Sequence, residues 1–230
     1  GHGSSGKTML CEAMLAHGGV INRLGSIANG STVSDYHEDE KKRQISIHAS
    51  LLHTEWMGKK FNIIDTPGYL DFISDSLGAL RVADFALFVV DASKGLEVGT
   101  ELVWEYATEY GIPKLIVVNA LDNEHANFDK TLEDLKERFG KRVFPMNIPI
   151  NPGPGFNQVL DVMRSEIVTY KTDGSGAFDE IPASDDWNEK VGKLHQELIE
   201  YVAESDDTLL EKFFDEGGLS EEEMREGVHG

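Results

Sequence analysis

The 230-residue chain is acidic: 41 Asp and Glu residues outnumber 21 Lys and Arg residues, and the formal net charge is −20 at pH 7. A broad nucleic-acid-binding face needs a basic patch, so direct DNA binding is not expected. No apolar run approaches the roughly 20 residues that a membrane span needs, and the single cysteine, Cys11, cannot form an internal disulfide. We therefore expect a cytoplasmic protein without a membrane partner.

The chain opens on a phosphate-binding pattern. Its first eight residues, Gly1-His2-Gly3-Ser4-Ser5-Gly6-Lys7-Thr8, match G-x-x-x-x-G-K-[ST]. The glycines let successive backbone N–H groups face phosphate oxygens, Lys7 adds a positive charge, and the Thr8 hydroxyl can bind Mg²⁺. The residues that follow predict a helix ending at Gly18-Gly19, which would turn its N-terminus toward the phosphates. The alternative is a glycine-rich turn that merely opens a helix.

The middle of the chain alternates predicted strands with predicted helices, which indicates a largely parallel α/β sheet. Continuous apolar runs are typical of strands buried on both faces, and glycine and proline mark the helix ends. In order, the predicted elements are a long mobile loop over 22–44, a hairpin over 45–64 that ends on Asp65, a strand over 85–90, a helix over 98–110, a strand over 115–118 and a helix over 129–138.

The character of the sequence changes after Pro145. Residues 151–155 are turn-rich, residues 166–170 predict a strand, and residues 186–204 predict a helix. We interpret residues 1–145 as one domain and residues 146–230 as a smaller α+β subdomain. The helix has an apolar stripe at Trp187, Val191, Leu194 and Leu198, and Ser220 with Glu223 predicts a capping box for a final acidic helix.

Two short motifs supply what a nucleotide site needs. Asp65-Thr66-Pro67-Gly68 ends the predicted hairpin, where a carboxylate can hold Mg²⁺ through water and the Gly68 N–H can reach a γ-phosphate. Asn119-Ala120-Leu121-Asp122 follows the last buried strand, and Asp122 can accept two hydrogen bonds from a guanine edge. Ser46 offers a second hydroxyl for Mg²⁺. A structural turn at residues 65–68 is the alternative, and a P-loop ATPase is disfavoured because it does not need Asp122.

These motifs, in this order, resemble the GTP-binding region of elongation factor G and its bacterial paralogues among the translational GTPases. Gly1–Thr8, Arg43–Ile47, Asp65–Gly68 and Asn119–Asp122 match the four successive GTPase motifs. The tail from Pro145 is similar to the subdomain that elongation factor G inserts, and residues 204–213 are especially similar. The resemblance implies an α/β P-loop GTPase three-layer sandwich with a mostly parallel sheet and an inserted α+β subdomain. It also implies a first strand before Gly1 and a last strand after Gly230.

The resemblance further implies a Mg²⁺-dependent GTPase that converts GTP to GDP and phosphate, with Lys7, Gly68 and Tyr69 as catalytic residues and Thr8, Ser46 and Asp65 as metal ligands. The full-length protein is expected to be a monomer that acts on the ribosome through the stalk protein and the GTPase-activating region of the large subunit. The residues implied to bind GTP or GDP are Gly1, His2, Gly3, Ser4, Ser5, Gly6, Lys7, Thr8, Asp65, Thr66, Pro67, Gly68, Asn119, Leu121 and Asp122.

Three positions depart from the family pattern. Ser46 stands where the family has threonine, a conservative change, and Tyr69 stands where a histidine orients the attacking water. Ala120 replaces the lysine whose stem covers the base, which should weaken guanine binding by on the order of 1–2 kcal/mol. These departures keep two alternatives open: a GTP-dependent binding switch that hardly hydrolyses GTP, or a degenerate GTP-binding domain used as a scaffold.

Overall fold

A computed structural model of the protein describes residues 1–140, 143–203, 207–216, 219, 220 and 223. The chain divides into two compact units, residues 1–131 and residues 132–230, which are described separately. The domain boundary predicted from the sequence, between residues 145 and 146, stays a prediction. None of the helices in the described ranges has the length and apolarity that a membrane crossing demands.

The first unit alternates helices and strands, as the sequence predicts. Its elements are α1 (Lys7–His17), α2 (Glu38–Arg43), β1 (Ser50–Trp56), β2 (Lys59–Asp65), a short 3-10 helix (Leu70–Phe72), α3 (Ile73–Leu80), β3 (Ala86–Asp91), α4 (Val98–Glu109), β4 (Lys114–Asn119) and α5 (Phe128–Phe139), which runs past residue 131.

Two strand pairs organise this unit. β1 and β2 form the predicted antiparallel hairpin, and Asp65 lies at its end, opposite Ser50. β3 and β4 pair in parallel, with Asp91 opposite Asn119, so the segments that follow both strands emerge at the same edge. Gly1 lies at this edge too, because a Cβ on it would overlap the Val89 carbonyl oxygen. The phosphate-binding pattern is thereby placed at the carboxyl end of a parallel pair.

The core of the first unit consists of two clusters. α1 and β1 bury Cys11, Leu15 and Leu52 together, and burial raises the pKa of the Cys11 thiol. α3, β3 and α4 bury a second cluster of Leu80, Phe88 and Ala107.

The second cluster shows why the two parallel strands differ. The prediction that both strands are buried on both faces holds for the buried end of β3 but is wrong for β4, where Leu115 is 44% exposed. β4 contributes only the partly buried Ile116 to the α3–α4 cluster.

Residues 22–44 contain more structure than the sequence predicts. α2 was missed because a six-residue helix is too short to show a hydrophobic period. A buried carboxylate fixes it instead: Glu40 is fully buried and accepts hydrogen bonds from the backbone N–H groups of His37, Ile47 and His48 at 3.2, 3.0 and 2.9 Å. The first strand therefore starts at Ser50, since these side-chain bonds occupy backbone groups of residues that were predicted to be in the strand.

Glu12 likewise accepts backbone hydrogen bonds, in its case from residues 25 and 33. Its side chain on α1 is 1% exposed, and its carboxylate accepts hydrogen bonds from the N–H groups of Gly25, at 2.8 Å, and of Val33. A carboxylate that accepts several backbone N–H bonds makes charge-assisted contacts, which are stronger than neutral ones. Glu12 and Glu40 together give residues 25–48 a defined path without a strand or a long helix.

The second unit is an α+β arrangement, in agreement with its predicted class. A four-stranded antiparallel sheet has the order β5-β6-β7-β8, and a helical core contains Leu198, Ile199 and Val202. The predicted strand over 166–170 and the predicted long helix are confirmed. β5 and β6 were not predicted because they have only three and four residues, and β8 was not predicted because its five residues are all exposed and show no apolar alternation. The elements are β5 (Asn147–Pro149), β6 (Gln158–Asp161), β7 (Glu166–Tyr170), β8 (Phe178–Pro182), α6 (Asp185–Ala203) and α7 (Asp207–Glu216).

Two finer predictions for the second unit can be compared with the structure. Val191 and Leu198 of the apolar stripe are buried, while Trp187 and Leu194 are partly buried. Ser220 and Glu223 form the predicted capping pair: the Ser220 N–H and hydroxyl donate to the Glu223 carboxylate at 2.9 and 2.7 Å. The acidic helix predicted beyond them lies outside the described residues.

Glu40→Gln tests whether one buried carboxylate holds the segment around residue 46. The amide has a single acceptor oxygen and an NH₂ group that cannot accept, so we expect a loss of about 1.5–3 kcal/mol in the free energy of unfolding. Hydrogen exchange at the Ile47 and His48 amides should accelerate. The matched control is Glu38→Gln on the same helix, whose side chain is 92% exposed and which should change stability by less than about 0.5 kcal/mol. Equal effects of the two changes would contradict the account.

Candidate functional site

The phosphate-binding pattern forms a tight loop that leads into α1. Ser4 and Gly6 adopt left-handed backbone conformations, with φ of +61° and +96°, and Lys7 begins the helix. The Lys7 ammonium reaches back across the loop and donates hydrogen bonds to the carbonyl oxygens of Gly1, at 3.1 Å, and His2, at 2.8 Å. Burial lowers the pKa of Lys7, and the nearby Asp65 carboxylate opposes that shift.

The fourth motif is fastened to this loop. The Asn119 side-chain amide donates a hydrogen bond of 3.0 Å to the Ser5 carbonyl oxygen, across 114 positions of sequence. Gly6 lies against the same amide so closely that a Cβ would overlap it. The end of β4 and the phosphate-binding loop therefore hold each other in position, as a site assembled from both motifs requires.

The third motif lies directly on the loop. A Cβ on Gly68 would come within 2.6 Å of the Gly3 nitrogen and would overlap the Lys7 ammonium. The turn is held by the Ser76 hydroxyl, which donates a hydrogen bond of 2.9 Å to the Pro67 carbonyl oxygen. Only a glycine allows this approach of residue 68, and Lys7 and the Gly68 backbone thus become neighbours.

His2 connects the loop with the start of α4. Its backbone N–H donates to the Thr100 hydroxyl at 3.0 Å, and its Nε2 lies 3.5 Å from a Glu97 carboxylate oxygen. Gly99 leaves room for the imidazole, because a Cβ there would lie 2.6 Å from its Nδ1. These contacts give His2 a packing role at the helix start.

The three predicted metal ligands come together. The Thr8 and Ser46 hydroxyl oxygens lie 3.1 Å apart, although 38 positions separate them in the sequence. Asp65 is 4% exposed, and neither of its carboxylate oxygens has a hydrogen-bond partner of ordinary geometry. Burial raises the pKa of Asp65, although the Thr8 and Ser34 hydroxyls and the Lys7 charge act in the opposite direction.

An unpartnered buried carboxylate beside two hydroxyls fits Mg²⁺. This hard cation prefers oxygen ligands and often uses only one or two protein groups together with phosphates and water. Within the described ranges, no cluster of three or more His, Cys, Asp or Glu side chains could hold a metal ion. A metal at Asp65 would therefore depend on hydroxyls and on oxygens brought by a ligand.

Sequence reasoning missed Asp35. This carboxylate is 4% exposed and lines the same pocket as Ser46. Burial raises its pKa, a hydrogen bond with Ser46 lowers it, and the carboxylates of Asp65, Glu40 and Glu12 raise it further. Asp35 was not identified from the sequence because it lies in the charged run of residues 34–43, and nothing in such a run indicates which charged residue is buried.

Among the predicted base-reading residues, Asn119 contacts the loop. Ala120 has a left-handed backbone, with φ of +56°, and it follows the anchored Asn119. Leu121 is partly buried and Asp122 is exposed, so the carboxylate is accessible to a ligand.

One pocket lies between the loop and the segments around it, and neither Asp65 nor residues 119–122 are among its lining residues. Its walls come from the phosphate-binding loop, from the segment around Ser46 and from the third motif. The pocket therefore offers backbone N–H groups, the partly buried Lys7 ammonium and the buried Asp35 carboxylate to a single ligand. Such a set can bind a polyphosphate together with a divalent cation. The lining residues are Gly3, Ser4, Gly6, Lys7, Thr8, Ile27, Asp35, Gln44, Ile45, Ser46, Gly68 and Tyr69.

Asp65→Asn should separate stability from binding. The substitution removes a buried charge that has no hydrogen bond of ordinary geometry. The free energy of unfolding of the nucleotide-free protein should therefore rise by about 1 kcal/mol at neutral pH. Mg²⁺-dependent ligand binding should be lost. The matched control is Asp91→Asn, whose carboxylate accepts hydrogen bonds from the Ser93 N–H and hydroxyl and whose loss should destabilise. Urea unfolding at several pH values measures both.

The stability of the nucleotide-free protein should depend on pH with a defined sign. Because the folded-state pKa of Asp65 is raised, the folded protein binds more protons than the unfolded chain between the two pKa values. The stability of the nucleotide-free protein should therefore rise as pH falls through the folded pKa toward the ordinary aspartate value, and Asp65→Asn should weaken that rise. A lower stability of Asp65→Asn at neutral pH would contradict this account.

The comparisons with known proteins agree with the geometry. The family model described as the elongation factor Tu GTP binding domain matches residues 1–206. The chain is also similar to a crystal structure of a protein from Thermus thermophilus, with 31% sequence identity and a TM-score of 0.90. The match covers 98% of this chain and 34% of that chain, so the chain spans about a third of that protein's length.

Both findings confirm the α/β P-loop GTPase fold and the resemblance to the translational GTPases that the motifs predict. The match includes all four motifs and most of the second unit. The chain belongs to the family of elongation factor Tu GTP-binding domains.

Proposed function

We propose that the protein binds GTP and GDP with Mg²⁺ and hydrolyses GTP to GDP and phosphate, as the GTP-binding domain of an elongation factor G-like translation factor. The observation that carries the proposal is the unpartnered buried carboxylate of Asp65 beside the Thr8–Ser46 hydroxyl pair. That arrangement is costly in isolation and is satisfied by a Mg²⁺ ion that arrives with phosphate oxygens.

Separate groups of residues would bind the phosphates and the metal ion during hydrolysis. Backbone N–H groups of the loop and the Lys7 ammonium would bind the phosphates. The backbone of Gly68 adjoins the Lys7 ammonium, and its N–H would donate to the same terminal phosphate. Thr8 and Ser46 would bind Mg²⁺ directly and Asp65 through water. The ion would neutralise negative charge on the phosphate oxygens.

Tyr69 limits the rate in this scheme. A phenol can donate or accept one hydrogen bond and so can orient a water molecule, but it does not gain charge near neutral pH as an imidazole does. No arginine appears among the residues that line the pocket. Intrinsic hydrolysis should therefore be slow and should need an activator.

The activator and partner belong to the same proposal. The full-length protein would be a cytoplasmic monomer that acts on the ribosome through the stalk protein and the GTPase-activating region of the large subunit. The family match and the slow chemistry expected of Tyr69 support this role. Because the chain spans 34% of the matched Thermus thermophilus protein, the parts that contact RNA would lie elsewhere in the full-length protein.

A second candidate is a GTP-dependent binding switch with little hydrolysis, and Tyr69 is the residue that favours it. Its ring lies on the loop in place of a charged or chargeable group, and Ala120 leaves the base less covered. In this alternative the segment around Ser46 and Gly68 senses the terminal phosphate, but the chemical step hardly occurs. A degenerate domain used as a scaffold would bind no nucleotide at all.

Tyr69→His distinguishes an enzyme from a switch. In the enzyme, we expect the full-length protein to hydrolyse GTP slowly alone and faster with ribosomes, and the histidine variant to gain at least about tenfold in the stimulated rate, since general acid–base groups contribute about 10²–10⁴-fold. Single-turnover hydrolysis with and without ribosomes gives both rates. GTP binding without measurable turnover in either protein would support the switch, and absence of guanine-nucleotide binding would support the scaffold.

A further inference from the structure

Tyr69 lies on the phosphate-binding loop rather than away from it. If Gly3 carried a Cβ, that atom would lie 2.7 Å from Cε2, 2.7 Å from Cζ and 2.9 Å from Cε1 of the Tyr69 ring. The aromatic ring therefore covers the backbone of residue 3 directly. Gly3 is required here for a close approach, and the phenol ring forms part of the pocket wall.

The phenol oxygen has a partner on the same loop. The Ser4 hydroxyl lies 3.3 Å from the Tyr69 hydroxyl, and either group can donate. Residues 65 positions apart in the sequence thus meet across the wall of the pocket. We call these two hydroxyl groups the Ser4–Tyr69 clasp.

Ser4 occupies an unfavourable backbone conformation. Its φ of +61° lies in the left-handed region, which glycine adopts without penalty and other residues adopt at a cost. Non-glycine residues in this region cluster at functional sites, where surrounding contacts hold them in place. The contact that the Ser4 side chain makes from this conformation is with the Tyr69 hydroxyl.

The position of Gly68 determines what the clasp faces. Its Cα is so close to Lys7 and to the Gly3 nitrogen that no side chain fits between them. A phosphate group bound by the loop N–H groups and Lys7 would consequently lie beside residues 68 and 69. With Ser4 donating to the phenol oxygen, the O–H of Tyr69 is available to donate to a phosphate oxygen.

We propose that Ser4 is a positioning residue for Tyr69, and that the clasp holds the phenol at the terminal phosphate so that GTP is retained longer than GDP. The proposal rests on the proposed GTP-binding function and adds to it the group that distinguishes the two nucleotides. Tyr69 takes the role of a phosphate contact, and Ser4 orients it.

The test compares Ser4→Gly, Tyr69→Phe and the double variant. We would measure the release rates of fluorescent GDP and of a fluorescent non-hydrolysable GTP analogue, with Mg²⁺ present. Each single change should speed release of the GTP analogue by about 3–10-fold, the range expected for one hydrogen bond. GDP release should change less than about twofold, and the double variant should match the single variants because both remove the same contact.

Two controls separate this role from general damage to the loop. Ser4→Gly relieves the left-handed backbone, so its thermal unfolding midpoint should not fall. Tyr110→Phe removes a phenol hydroxyl that contacts Arg81 and does not line the pocket, and it should release both nucleotides at the rates of the unsubstituted protein.

The outcomes are distinguishable. Additive effects of the two changes, equal effects on GDP and the GTP analogue, or unchanged rates in both single variants would each overturn the clasp. Failure of the unsubstituted protein to bind either nucleotide would instead refute the proposed function.

Discussion

A buried carboxylate without a hydrogen-bond partner is the constraint around which the first unit is built. Asp65 ends the β1–β2 hairpin, is 4% exposed and lies beside the Thr8 hydroxyl and the Lys7 ammonium. Burying an ionised acid without partners is unfavourable, and its pKa rises accordingly. The Thr8 hydroxyl lies beside this carboxylate, and the Ser46 hydroxyl lies 3.1 Å from that of Thr8. In the proposed function, a cation would join these oxygens and offset the buried charge.

The buried acidic side chains of the first unit add to the negative charge that a cation would have to offset. Glu12, Asp35, Glu40 and Asp65 are each at most 4% exposed, and Lys7 is the cation that lies among the loop motifs. Glu12 and Glu40 are satisfied by backbone N–H groups and serve to fold residues 25–48. Asp35 lines the pocket, and Asp65 lies beside Thr8 and Lys7. In the proposed function, backbone N–H groups, Lys7 and a metal ion would offset these acids when a polyphosphate binds. The proposed function would in this way link the folding of the segment around Ser46 to the binding of a Mg²⁺–nucleotide.

Features that depend on a local sequence pattern were predicted correctly. The eight-residue loop, the hairpin that ends on Asp65, the parallel strand pair and α4 and α5 follow from glycine spacing, apolar runs and end signals. α2 and the short strands β5, β6 and β8 could not be predicted, because buried side chains such as Glu40 or pairing with neighbours stabilise them rather than their own periodicity. Asp35 and the contact between Ser4 and Tyr69 depend on approaches between distant segments. The roles assigned to the site residues stay predictions.

The most direct test of the central claim is a titration of the protein with fluorescent GDP, in Mg²⁺ and in a chelator, followed by competition with GTP and with ATP. On this account, we expect binding to be at least about tenfold tighter with Mg²⁺, because the metal would satisfy Asp65. We also expect displacement by GTP but not by ATP, because Asp122 would accept hydrogen bonds from the guanine edge. Equal binding with and without Mg²⁺, or displacement by ATP, would contradict it.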